Sequence, residues 1–376
     1  MRKSFIALAL VTLLGLVAAG WAVWDEEQSN LAQSPPKGPM FASLSVPGAT
    51  ANEIAVTAPD YRLDLVRKDG QWIAASNGNY PARAETANTL LKQVASLQLR
   101  EAKTRNPLWY GRVDVEDAGA AGSNARLVHI ALAGAPPIDV LIGKRATSVG
   151  SDPTGATFVR RPGDAQAWLA EGTVTIPDVF SDWFDQVIHV PGPQVQEVSI
   201  LEGTKQVFDA AKDNGATTYT LKSVDPRYAD RGKFAHDSHV KGLEAGIVSV
   251  AVNDVRSADG VTFGPDARTV RFRTGDGLVV DARLGTADGK TWVTYAASAM
   301  PGSTRATDAD AINKRAKGWA FLITQAKIDA LTTPVDQLLQ AEAAPAPSSD
   351  TGPTPGSVLT PEQMQNLLRQ QAMPPQ

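Results

Sequence analysis

The sequence predicts an α+β fold: two tandem related domains, each with a mainly antiparallel sheet and one principal helix, preceded by a single transmembrane helix. Three observations carry this expectation. Short runs of alternating apolar and polar residues recur along both halves of the chain, as half-buried strands require. Each half carries one helix-period stripe and no regular strand–helix–strand alternation, which favours α+β over a parallel α/β sheet. The order of these elements repeats at an offset of about 140 residues, the mark of an internal duplication.

The N-terminus supplies the membrane segment. Arg2 and Lys3 precede an apolar or small-residue run from Phe5 to Trp24, and Asp25, Glu26 and Glu27 follow it directly. As a helix, such a run spans about 30 Å, the thickness of a bilayer's hydrocarbon core. Positive charge before it and negative charge after it leave residues 1–4 in the cytoplasm and send the bulk of the chain out to the periplasmic side of the inner membrane, with Trp21 and Trp24 as interfacial aromatics. The competing reading is a cleaved signal peptide, with small residues at Ala18, Gly20 and Ala22 near a cleavage point, but its apolar core is ordinarily only about 7–15 residues. Residues 5–24 are therefore read as an uncleaved anchor and residues 25–50, rich in Ser, Pro, Gly and Gln, as a linker.

The first domain is expected over 51–190. Ile54, Val56 and Ala58 alternate with polar neighbours, and Leu63 and Leu65 do so after a Pro59-Asp60 turn. Asp69-Gly70 reads as a hairpin turn because both positions of the favoured turn need positive φ, and Trp72 and Ala74 belong to the returning strand. Pro81 suits a first helical turn, and Ala84, Ala87, Leu91, Val94 and Leu97, with Leu90 beside them, form the apolar face of the principal helix. A loop is expected at Asn106–Asn124, then strands at Leu127–Leu132, Ile138–Ile142 and Thr157–Arg161, with Gly143 and the Gly150–Gly155 region as turns. Ala165–Ala170 and Val179–Val187 read as short helical or extended caps.

Pro191-Gly192-Pro193 is a break, and the second domain is expected over 191–340. Val198–Leu201, Val207–Ala210 and Thr218–Leu221 answer the first strands, and Val240, Leu243 and Ile247 mark a shorter helix. Val248–Val252, Val270–Arg273, Val279–Leu284 and Trp292–Tyr295 answer the later strands, and Trp319–Ile323 with Ile328–Leu339 closes the copy. Residues 341–376 are rich in Ala, Pro, Ser, Gly and Thr and read as a disordered tail. Thr360 to Gln363 matches a capping box, so Met364, Leu367 and Leu368 are candidates for a short amphipathic segment that docks on a partner.

Composition excludes several function classes. The 376 residues are 43% hydrophobic and 20% charged, enough to bury a sizeable core, and the net charge of -4 is spread without basic runs, so nucleic acid is not an expected partner. There is no cysteine, which removes disulfides, thiolate chemistry and iron–sulfur clusters.

The halves resemble a bacterial family known as domain of unknown function 4340. The residues carrying the resemblance are Asp69-Gly70-Gln71-Trp72, Pro81-Ala82 with the helix Ala87–Leu97, Tyr110-Gly111, Asp139 to Gly143, Phe158-Val159-Arg160, and Asp182-Trp183-Phe184 followed by Val198-Ser199-Ile200. The chain departs from it at Arg83, where the family usually has an acidic residue, and at Arg112, where Leu usually follows Tyr-Gly. The resemblance covers roughly Ala51 to Val198 and reaches the second half by element order. It implies a membrane-anchored envelope protein, often encoded beside an ABC-type transport system related to gliding-motility components, and carries over no catalytic residue.

The search for chemistry is sparse. His236 and His239, spaced i, i+3 with Asp230 and Asp237 nearby, are weak metal-ligand candidates set against a polar helix start. Gly285 to Thr291 resembles a phosphate loop, but it has three residues between its glycines where that loop has four, and it leads into a strand; an Asp288-Gly289 hairpin accounts for it, and no nucleotide is expected. No Gly-x-Ser-x-Gly or His-Glu-x-x-His occurs. Asp178, Asp182 and Asp185 are acidic without a defined partner. Trp168, Phe180, Trp183 and Phe184 are candidates for an aromatic groove, with core packing as the alternative. No catalytic residue, cofactor or metal is expected. The expectation is a non-enzymatic, partner-binding accessory of a cell-envelope or ABC-type transport assembly. The alternatives are an envelope ligand-binding module for a glycan, peptide or lipid, and a hydrolase without a recognised motif.

Overall fold

The structure, a computed structural model, describes residues 35–44, 50–146 and 155–341, together with Val17 and Gly20. It is a mixed α+β protein with few helices, and every strand pairing among the described residues is antiparallel. Among them, no helix is long and apolar enough to cross a membrane. The expected anchor at 5–24 (apart from Val17 and Gly20) and the docking residues Met364, Leu367 and Leu368 lie outside the described residues.

The first sheet opens with a meander of β1 (Ala51–Thr57), β2 (Arg62–Lys68), β3 (Gln71–Ala74) and the short β4 (Tyr80–Pro81). Asp69 and Gly70 both have positive φ, at 51° and 80°, the turn that the Asp-Gly pair favours. Helix α1 (Ala84–Ser96) then carries the chain back across the sheet to β5 (Gln98–Ala102). Ala87, Leu90, Val94 and Leu97 are its buried face. Trp72 fixes the helix to β3, its indole Nε1 donating to Asn88 Oδ1 at 3.2 Å. After α2 (Tyr110–Val113) come β6 (Arg126–Leu132), β7 (Ala135–Ala146), β8 (Ala156–Arg160) and β9 (Ala167–Glu171). The nine strands lie in the order β4-β3-β2-β1-β6-β7-β8-β9-β5.

The second sheet is built from β10 (Val195–Glu202), β11 (Lys205–Lys212), β12 (Tyr219–Val224), β14 (Asp254–Ser257), β15 (Arg268–Thr274), β16 (Leu278–Ala287), β17 (Lys290–Ala299) and β18 (Trp319–Leu322). Its order is β12-β11-β10-β15-β16-β17-β18-β14. With β4 set aside, this is the order of the first sheet strand for strand. The principal helix of this half is α3 (Asp237–Leu243), which buries Val240 and Leu243. Helices α4 (Ala306–Ala316) and α5 (Gln325–Leu331) follow β17 and β18, and β13 (Phe234–Ala235) pairs with β19 (Leu339–Gln340). Asp288 and Gly289, again at positive φ, close the β16–β17 hairpin where Ala287 faces Lys290.

Several segments differ from the expectation. Pro81 ends β4 rather than opening α1, because the Ala82 N–H still donates to the Trp72 carbonyl and keeps the chain extended. Of the helical and extended alternatives for Ala165–Ala170 the structure takes the extended one, and Ala167–Glu171 is a full sheet strand, β9, whose first four residues are all buried and so show no alternation. Gly143 is not a turn but lies within β7, where a Cβ would collide with the Val113 carbonyl and the Val115 side chain. The strand answering β5 is β14 rather than Val248–Val252, since Val250 pairs instead with Ile188 at the junction of the halves. Within the expected linker, Met40 and Phe41 are buried, and the Met40 N–H donates to the Leu97 carbonyl, so 35–44 docks on the first sheet.

One hydrophobic cluster runs through both halves, from Met40 to Leu339. Under β10–β12, Lys212 Nζ donates to the Val195 carbonyl at 2.7 Å and pairs with Glu244 Oε1 at 3.2 Å, which also accepts from the Tyr219 hydroxyl at 2.8 Å. Burial, followed by the Glu244 charge, pushes the Tyr219 phenol far above its ordinary value.

Candidate functional site

The expected aromatic groove is not one surface. Trp183 and Phe184 are wholly enclosed, and the Trp183 indole donates to the Tyr61 hydroxyl, which itself donates to the Pro177 carbonyl at 2.6 Å. Phe180 is half-buried and stacks obliquely on Phe184 with centroids 4.9 Å apart. Trp168 lies on β9, and among the described residues no ring contact joins it to the other three. Apolar rings this large are drawn into the core when the fold offers volume for them.

These rings belong instead to a seam between the halves. Tyr80 contacts Phe184 at 5.7 Å, Trp319 at 5.1 Å and Phe321 at 5.6 Å between centroids, and Phe321 continues to Tyr295 at 6.3 Å. Tyr80 comes from β4, whereas Trp319 and Phe321 come from β18 of the second sheet. The ring of Tyr80 is thus fixed on three sides, with 3% of the residue exposed.

Beside the seam lies a cleft of about 570 Å³, walled by the turn before β3 and the start of α1 on one side and by α4 on the other. Trp72, Tyr80, Arg83, Asp185, Lys314 and Arg315 are its principal side chains. Arg83 Nε pairs with Asp185 Oδ1 at 2.9 Å, and its Nη2 donates to the Phe184 carbonyl at 2.7 Å. Arg315 Nε donates to the Val187 carbonyl at 3.1 Å. Lys314 is exposed, and its side chain makes no hydrogen bond or ion pair among the described residues. Burial pushes the Tyr80 phenol up to about 12, with Arg315 opposing and Asp185 adding to the shift.

A second feature stands on the first sheet. Asn106 caps a tight turn, its Oδ1 accepting the Leu108 N–H at 3.0 Å, with Pro107 at the first position. The turn presents Leu108, 87% exposed, and Trp109, 37% exposed. Its base is rigid: Tyr110 is buried, its hydroxyl donates to the Ala165 carbonyl, and the Arg160 guanidinium lies 4.5 Å over its ring. Arg112 lies 5.1 Å over Trp109.

His236 and His239 stack with rings 3.8 Å apart and 8° from parallel. His239 Nδ1 is 2.6 Å from the Gln337 carbonyl and His236 Nδ1 is 3.2 Å from Ser238 Oγ. Among the described residues no group of three or more His, Asp or Glu is arranged to hold a metal. His129 pairs with Asp139 and His189 with Ser249, each at 2.8 Å, while Asp178 pairs with Arg126. The cleft depends on α4, which has no counterpart among the elements expected from sequence, and Leu108 and Trp109 fall within the expected loop Asn106–Asn124. The Asn-Pro cap and the spacing Ala309, Ile312, Ala316 are the signals that would have found them.

Two antiparallel sheets of like strand order, joined by an aromatic seam, define an α+β protein whose surface offers a cleft and an apolar knuckle. The chain belongs to the family described as domain of unknown function (DUF4340), whose profile matches residues 72–267, from β3 to the loop before β15. No curated protein and no solved structure matches it.

Proposed function

We propose that this chain is a membrane-anchored, extracytoplasmic, non-enzymatic protein that binds partner proteins of a cell-envelope or ABC-type transport assembly. Residues 5–24 cross the inner membrane once, and the periplasmic part is a duplication of one α+β unit into domains at 51–190 and 191–340. The shared strand order of the two sheets supports the duplication. The observation that carries the binding role is the Leu108–Trp109 knuckle, a large apolar pair held out on a rigid base. A partly exposed Trp on a pre-formed support is the kind of anchor that dominates protein interfaces, because it is desolvated at a reduced cost in ordering.

The test is affinity purification of the full chain from solubilised membranes, followed by mass spectrometry. Recovery of transport-system subunits with the natural chain, and their loss with the double variant Leu108→Ser/Trp109→Ser, is the expected result. Failure to recover such subunits, or equal recovery with the variant, contradicts the proposal.

A further inference from the structure

We infer that the cleft between the halves is a binding site for a small organic anion, a carboxylate or a phosphate ester attached to a compact apolar group. This goes beyond the partner-binding role and stands independently of it. The cleft's volume, about 570 Å³, is in the range that encloses a small ligand. Arg83, Lys314 and Arg315 face it against the single carboxylate of Asp185, so its walls carry an excess of positive charge. Lys314 has no partner among the described residues, and it therefore offers an ammonium that no neighbouring carboxylate neutralises.

The second observation is Tyr80. Its ring is buried and clamped by Phe184, Trp319 and Phe321, yet its hydroxyl donates to no described group. The hydroxyl is not among the enclosed, unpartnered polar atoms of the described residues, so its oxygen keeps contact with solvent and is free to meet a ligand. Tyr80 lines the cleft together with Arg315 and Asp185. A neutral phenol donor sharing one cleft with the cations of Lys314 and Arg315 suits an oxyanion: the hydroxyl donates while the cations neutralise the charge. Trp72, Ala84 and Ala311 supply the apolar wall for the rest of the ligand. The two cations come from α4 of the second half and the hydroxyl from β4 of the first, so the site exists only where the halves meet.

The test is isothermal titration of the full chain, held in lipid nanodiscs, with phenyl phosphate and with benzoate, and with neutral benzamide as control. Saturable binding of one or both anions and none of benzamide is expected, and the two anions separate a phosphate from a carboxylate ligand. Tyr80→Phe and Lys314→Gln should each weaken binding by about three- to tenfold, the worth of one net hydrogen bond. Asp185→Asn should tighten it by about threefold, because it removes the opposing charge from a solvent-facing site. Lys317→Gln, just past the C-terminus of α4 in a separate depression, should change nothing. Absence of binding by the natural chain overturns the inference, as does binding that is indifferent to Tyr80→Phe, Lys314→Gln and Asp185→Asn. Circular dichroism of each variant separates loss of the site from loss of the fold.

Discussion

Trp319 of β18 stands edge-on against Tyr80 of β4, ring centroids 5.1 Å apart and planes at 86°, and so ties the second sheet to the first. The contact needs a bare backbone beside it. Gly78 has a φ of 69°, and a Cβ there would lie 3.1 Å from the Trp319 ring. The halves are therefore expected to unfold together, since the seam is continuous with the core of each.

Tyr80→Ala should cost about 3–5 kcal/mol, as removal of a buried aromatic does, whereas Tyr80→Phe should cost less than about 1 kcal/mol because its hydroxyl has no partner to lose. Urea unfolding followed by tryptophan fluorescence and by circular dichroism checks both values and whether the two probes coincide. A Tyr80→Phe variant as damaged as Tyr80→Ala would refute the assignment of the hydroxyl.

The sequence made the turn at Asp69-Gly70 legible because positive φ at two successive positions admits few residue types. It made the stripe of α1 legible because Ala87, Leu90 and Val94 recur at helical period on a long element. Strand β9 escaped because its run from Ala167 to Ala170 is buried on both faces, which removes the alternation that identifies a strand. Helix α4 escaped because small alanines form much of its inner face and Arg305, which cannot accept a capping bond, precedes it. The cleft needs both α4 and the meeting of the two sheets, so long-range packing rather than local pattern creates it.

The buried Lys212–Glu244 pair gives a second prediction. Lys212→Met leaves Glu244 with only the Tyr219 hydroxyl in a closed environment and should cost about 3–5 kcal/mol. Adding Glu244→Leu to it should recover a large part of that loss, because the uncompensated charge is gone. A double-mutant cycle by chemical denaturation reads the coupling, and additive losses would contradict it.

Acid sensitivity follows from Asp225. The Lys205 ammonium, then the Arg227 backbone N–H and guanidinium, hold its carboxyl well below the ordinary range. A folded-state pKa below the unfolded value of about 3.9 means that its contribution is fully present above that pH and is lost as pH falls through the folded value. Asp225→Asn should lower stability at neutral pH and flatten the decline of the urea midpoint below about pH 4. An unchanged acid slope would count against this assignment.

The knuckle should be dispensable for folding. Leu108→Ser removes a side chain that is 87% exposed, so the thermal midpoint should shift by no more than the equivalent of about 1 kcal/mol. Differential scanning calorimetry of the purified variant checks this, and a larger loss would make the knuckle a structural element.

The proposal that the chain is a partner-binding envelope protein is tested most directly by photo-crosslinking in intact cells. A photoreactive residue placed at Leu108 is compared with one at Gln71, an exposed position on the cleft side. The account predicts a discrete adduct from position 108 to a subunit of a transport assembly and none to that subunit from position 71. No adduct from position 108, or the same adduct from both positions, would contradict it.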